Sequence, residues 1–116
     1  YDIDLLLVSP DDKRALIMSD AGGYDVHDVD LELTDSAENP LPDTAPLFGG
    51  TFRPANYGAT LDKFPAPAPP KPYQSSFSIF RGSPAAGAWK LFIYDDASRR
   101  FGSIGSWVLE VDYAAP

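Results

Sequence analysis

The sequence predicts an all-β fold, and three observations carry that expectation. Apolar residues recur with period two in several short runs, clusters of Gly, Pro, Ser and Asp separate those runs, and no stretch combines a helical apolar period with caps. The clearest instance is residues 87–111, GAWKLFIYDDASRRFGSIGSWVLEV. In its first half Trp89, Leu91 and Ile93 share one face while Lys90, Phe92 and Tyr94 share the other. In its second half Trp107, Leu109 and Val111 alternate with Ser106, Val108 and Glu110. Each strand opens on a Trp with aliphatics behind it, as expected of two sandwich strands that turn one face towards a shared core.

Taken in chain order, residues 4–8 (DLLLV) form a strongly apolar run that ends at Ser9-Pro10-Asp11-Asp12, where Pro fixes a torsion and Asp bonds local backbone. Residues 14–19 (RALIMS) follow, so the short connection predicts a hairpin. Asp20-Ala21-Gly22-Gly23 breaks the second strand. Val29, Leu31 and Leu33 then alternate with Asp28, Asp30, Glu32 and Thr34, which predicts a half-buried strand with an acidic outer face. Further on, residues 76–80 (SFSIF) predict another strand, stopped by Arg81-Gly82-Ser83-Pro84.

Between these parts, residues 36–75 lose regular patterning and carry Pro40, Pro42, Pro46, Pro54 and the run FPAPAPPKP at 64–72. One reading makes the run a polyproline linker between two modules. The favoured reading keeps residues 1–116 as a single β-sandwich with 36–75 as an ordered Pro-rich loop region, because neither flank has enough strands to bury a core alone. Leu47, Phe48, Phe52, Tyr57, Leu61, Phe64 and Tyr73 would pin the loop, and residues 51–53 read as a short strand inside it.

Composition narrows the function classes. The 116 residues suit one domain, and 44% apolar content with seven Phe, six Tyr and two Trp argues for folding by burial despite twelve prolines. The charge of −8 disfavours phosphate backbones and anionic membranes, so neither nucleic acid nor membrane insertion is expected. No apolar run reaches the ~20 residues of a membrane span. The absence of Cys excludes disulfides and thiolate metal sites. The start at Tyr1-Asp2-Ile3, without Met and already inside an apolar alternation, reads as a cut through a larger polypeptide.

The residue inventory argues against an enzyme. His27 is the one histidine, no serine is singled out as its nucleophile, no GxSxG elbow is present, and no pair of carboxylates is distinguished. Calcium suits the chain better, because its sites draw six to eight oxygens from carboxylates and carbonyls that converge at turns. The candidate ligands are Asp2, Asp4, Asp20 beside the carbonyls of 21–23, and Asp95 with Asp96. Acidic turns are also ordinary sandwich punctuation, and no fixed ligand interval of the EF-hand type is present. Tyr24, Tyr57, Tyr73 and Tyr94 are candidate platforms for a glycan. Trp89 and Trp107 fall in core register, where losing a buried Trp costs about 3–5 kcal/mol, so packing accounts for both.

In this order of motifs the chain resembles the P domain of kexin- and furin-like proprotein convertases, especially the bacterial-type relatives appended to secreted proteases and surface proteins. The motifs are the aspartate, hydrophobic run and Ser-Pro of residues 4–10; Gly87, Trp89, Leu91 and Asp95; and Gly102 and Ile104 followed by Trp107 and Leu109. They span nearly the whole chain. The resemblance implies a jelly-roll β-sandwich, galactose-binding-domain-like, without activity of its own. Such a module stabilises or docks an adjacent domain of the same polypeptide or a neighbouring subunit, on a secreted or cell-surface protein, and the resemblance strengthens the case for Ca2+. The rival readings are a carbohydrate- or cell-surface-binding module and a structural subunit of an extracellular assembly.

Two departures from that pattern carry expectations. The family places a strand or two ahead of the DIDLLLV segment, so the chain is expected to lack its first strand and to leave an unpaired edge beside residues 4–8, filled by upstream sequence or by strand addition from a subunit. Arg99 and Arg100 stand where relatives carry Gly and Asp, and they would compete with a metal for Asp95 and Asp96.

Overall fold

The computed structural model describes residues 3–19, 21, 29–43, 45, 47, 49–57, 64–95 and 104–112. They are β-rich, and no α-helix occurs among them. The strands are β1 (Ile3–Val8), β2 (Arg14–Ser19), β3 (Leu31–Leu33), β4 (Gly50–Phe52), β5 (Ala55–Asn56) and β6 (Lys90–Asp95). A four-stranded sheet has the order β5-β2-β1-β6, antiparallel except for the β2–β5 pair, and β3 and β4 form a separate parallel pair.

β1 lies inside the larger sheet and is covered on both faces, which explains why its sequence reads as a continuous apolar run. On one face Leu5 and Leu7 join Ala15, Ile17 and Met18 in the larger cluster, to which β3 and β4 add Leu31, Leu33 and Phe52. On the other face Leu6, Val8, Leu16 and Phe64 form a smaller cluster, and Ala68 and Tyr73 bring the Pro-rich run onto it. Leu5 pairs with Met18 but Leu6 pairs with Leu16, so Ile17 is an extra residue in β2 and both Ile17 and Met18 reach the larger cluster.

The hairpin turn is built by Ser9 and Asp12. The Ser9 N–H donates to the Lys13 carbonyl at 3.0 Å, the Asp12 N–H donates to the Ser9 carbonyl at 3.0 Å, and Asp12 takes the left-handed conformation at φ 68° that Asp tolerates. Two separate pieces complete the outer edge of β2. Gln74 exchanges backbone hydrogen bonds with Leu16 and Arg14 near its start, and β5 pairs with its end. The Arg14 guanidinium donates to the Pro70 carbonyl at 2.7 Å and reaches Asp12 at 2.6 Å, tying the Pro-rich run to the hairpin.

Several expectations are corrected. The edge beside residues 4–8 is not unpaired, because β6 occupies it from the Ile3–Asp95 pair to the Val8–Lys90 pair. Residues 76–80 do not form a strand: Phe77–Phe80 is a 3₁₀ turn. Ser76 caps it by accepting from the Ser78 N–H, and Asp35 accepts from the Phe77 N–H at 3.1 Å and from the Ser76 hydroxyl at 2.8 Å. Side-chain acceptors, Ser76 beside the turn and Asp35 from a distant part of the chain, therefore outcompete the ladder that alternation suggests. Residues 106–111 form no strand, and Trp107 is not in the core but 47% exposed. Alternation sorts residues into inside and outside only when a segment enters a ladder, and this one does not. Trp89, half-buried against the larger cluster, does behave as a core residue. Its indole N–H donates to the Ala85 carbonyl at 3.0 Å, and its ring meets Phe80 edge-on at 5.2 Å.

Candidate functional site

The start of β1 and the ends of β2, β5 and β6 lie together at one end of the larger sheet. Tyr94 pairs with Asp4, Ser19 pairs with Asn56, and Asp4 and Ser19 each lie one residue beyond the Leu5–Met18 pair. A row of Asn56, Ser19, Asp4 and Tyr94 thus crosses the four strands, and partners in register share a face. The next row inward, Ala55, Met18, Leu5 and Ile93, is apolar.

Burial sets this row apart. Asp4 is 2% exposed and Ser19 is fully buried, and with Ser9 they are the buried polar side chains among the described residues. A buried carboxylate needs compensation from donors or cations to stay ionised. The Asn56 Oδ1 is also buried and meets no hydrogen-bond donor among the described residues. The row therefore sets a carboxylate, a hydroxyl and an amide oxygen, all of the hard-oxygen type, on neighbouring strands, and Asp4 and Ser19 both have interactions within the fold.

Of the expected calcium ligands, the structure places Asp4 in the row and Asp95 at the end of β6, opposite Ile3. Asp2, Asp20 and Asp96 lie outside the described residues, as do His27, Tyr24, Arg99 and Arg100. Among the described residues no three His, Cys, Asp or Glu side chains come close enough together to hold a metal. Sequence reading missed Ser19 and Asn56, whose participation depends on pairing between strands far apart in the chain.

Two tyrosines expected as glycan platforms have their hydroxyls engaged inside the fold. The Tyr57 hydroxyl donates to the Leu41 carbonyl, and the Tyr73 hydroxyl donates to the Pro69 carbonyl at 2.7 Å. Tyr94 leans on Phe64, with ring centroids 6.1 Å apart. The exposed indole is Trp107, which alternation had assigned to the core.

The hairpin turn holds a second cluster of charges. Ser9 donates its hydroxyl to Asp11, and Lys13 stands 3.7 Å from the same carboxylate while donating to the Arg81 carbonyl at 3.0 Å. The Ser9 hydrogen bond, with a smaller contribution from Lys13, holds the Asp11 carboxyl below its ordinary pKa of 3.8. This cluster closes the turn and presents no free nucleophile.

Among the described residues, no helix is long and apolar enough to cross a membrane. No family model, curated protein or solved structure matches the chain.

Proposed function

We propose that the chain is a non-catalytic, P-domain-like accessory module of a secreted or cell-surface protein, which binds Ca2+ and supports or docks a neighbouring domain or subunit. The observation that carries this reading is the burial of Asp4 in a row with Ser19 and Asn56 at the end of four strands. A cation held there would draw the strand ends together and offset the cost of desolvating the carboxylate. Asp2, Asp20, Asp95 and Asp96 are the further ligands this reading proposes, as residues that directly precede β1, follow β2, and end or follow β6 in the sequence. In the same reading the larger and smaller sheets belong to a jelly-roll sandwich, and the surface of the module, not a catalytic cleft, does its work.

Thermal melting tests the proposal. Millimolar Ca2+ is expected to raise the melting temperature, a chelator to reverse the gain, and Asp4→Asn to remove the difference between the two conditions. An identical melting temperature with calcium and with chelator would refute the calcium reading. A second reading, a carbohydrate-binding module, is favoured by one observation: Trp107 presents an exposed indole of the kind that stacks on sugar rings. Retardation in glycan-containing gels that disappears in Trp107→Ala would support that alternative.

A further inference from the structure

Residues 64–74 pack on one face of the larger sheet only. Phe64, Ala68 and Tyr73 meet Leu6, Val8, Leu16 and Phe92 in the smaller cluster, whereas among the described residues the larger cluster draws none from this segment. The packing that joins β1 and β2 to the β3–β4 pair on the opposite face therefore keeps its partners whether or not the segment is in place.

The segment is also sparsely laddered. Pro65, Pro67, Pro69, Pro70 and Pro72 have no N–H to give to a strand. Three hydrogen bonds tie it to the start of β2: the Leu16 N–H donates to the Gln74 carbonyl at 2.7 Å, the Gln74 N–H donates to the Arg14 carbonyl at 3.1 Å, and the Arg14 guanidinium donates to the Pro70 carbonyl. Lys71 adds a further interaction. β1, by contrast, is paired with β6 from Ile3 to Val8 and with β2 from Leu5 to Val8. Inside the segment, the Ala68 N–H donates to the Pro65 carbonyl at 3.1 Å, the Tyr73 hydroxyl donates to the Pro69 carbonyl, and Phe64 meets Tyr73 edge-on at 5.9 Å. These internal contacts travel with it when it leaves the sheet.

We propose that residues 64–74 are a strap that swings off the sheet as a unit while the strands and the larger cluster stay folded, with Arg14 as its latch. Opening gives up the bonds to β2 and the smaller cluster but leaves the β1–β2 and β1–β6 ladders intact, so it costs less than unfolding the chain. The open form uncovers Leu6, Val8, Leu16 and Phe92 together with the Arg14 carbonyl and the Leu16 N–H. The strap thus conceals an apolar face beside an unpaired stretch of strand.

Native-state hydrogen exchange at a series of low guanidinium concentrations tests the proposal, because opening of the strap alone releases the Leu16 and Gln74 amides. The two are expected to exchange with one common opening free energy, lower than that of the amides paired between β1 and β6, and less steep in denaturant because less surface is exposed. Arg14→Met is expected to speed exchange at both by about tenfold or more, through loss of a charged hydrogen bond. Leu33→Ala, which loosens the larger cluster, is expected to speed exchange in the β1–β6 ladder and to leave Leu16 and Gln74 unchanged. Exchange of Leu16 and Gln74 together with the β1–β6 amides, different opening free energies for the two, rates unmoved by Arg14→Met, or an equal acceleration of both sets in Leu33→Ala would overturn the proposal. None of these readouts involves calcium, so the two proposals fail independently.

Discussion

Ser9 closes the β1–β2 turn with both its N–H and its carbonyl, and its hydroxyl accepts from the Lys13 N–H at 2.9 Å while donating to Asp11. The depressed Asp11 pKa follows, and the sign of its effect on stability is fixed. A carboxyl with a lower pKa in the folded state stabilises the fold above its unfolded value and loses that contribution as pH falls through the folded value. NMR titration is expected to place Asp11 below 3.8 and to find it moved upward in Ser9→Ala. Tyr57 shifts the other way, raised above 10.0 by burial and secondarily by the Asp43 charge. The unfolded chain would release that proton first, so the contribution is intact below pH 10 and declines as pH rises beyond it. Tyr57→Phe leaves the Leu41 carbonyl without its donor and is expected to cost about 1 kcal/mol in denaturant unfolding.

The elements depend on a few close approaches. Gly87 has φ 120°, and a Cβ there would stand 2.8 Å from the Pro10 Cβ, so the segment leading into β6 crosses the hairpin turn with no room for a side chain. Gly82 also has positive φ, at 84°, but open space around it. Gly87→Ala is therefore expected to destabilise by more than the roughly 1–2 kcal/mol of backbone strain that Gly82→Ala should show, as read by chemical denaturation. The hairpin itself was legible from residues 4–19, because an apolar run, a Ser-Pro-Asp-Asp turn and a second run specify it locally. The 3₁₀ turn was not, since its capping acceptor Asp35 is 42 residues from Phe77. The same limit hid half the candidate site: Asp4 and Asp95 stood out as acids, whereas Ser19 and Asn56 gain significance only from strand pairing.

For the molecule as a whole, the larger sheet has apolar residues packed on both faces, and the two tryptophans separate what anchors there from what does not. Leu16→Ala, at a nearly fully buried site, is expected to cost about 2–5 kcal/mol. Trp107→Ala should cost far less than Trp89→Ala, because Trp107 leaves nearly half its surface in water while Trp89 engages Phe80 and Ala85. Equal losses for the two tryptophans in urea melts would show Trp107 to be a core residue. The strongly acidic composition suits cation binding at carboxylates, and Asp4 is the residue at which the proposed cation would be held. Terbium luminescence tests that claim most directly, since terbium substitutes for calcium and is excited through a nearby phenol, here Tyr94 opposite Asp4. The account expects tyrosine-sensitised emission that calcium displaces, that Tyr94→Phe weakens and that Asp4→Asn abolishes. Absence of sensitised emission, or full emission retained in Asp4→Asn, would contradict it.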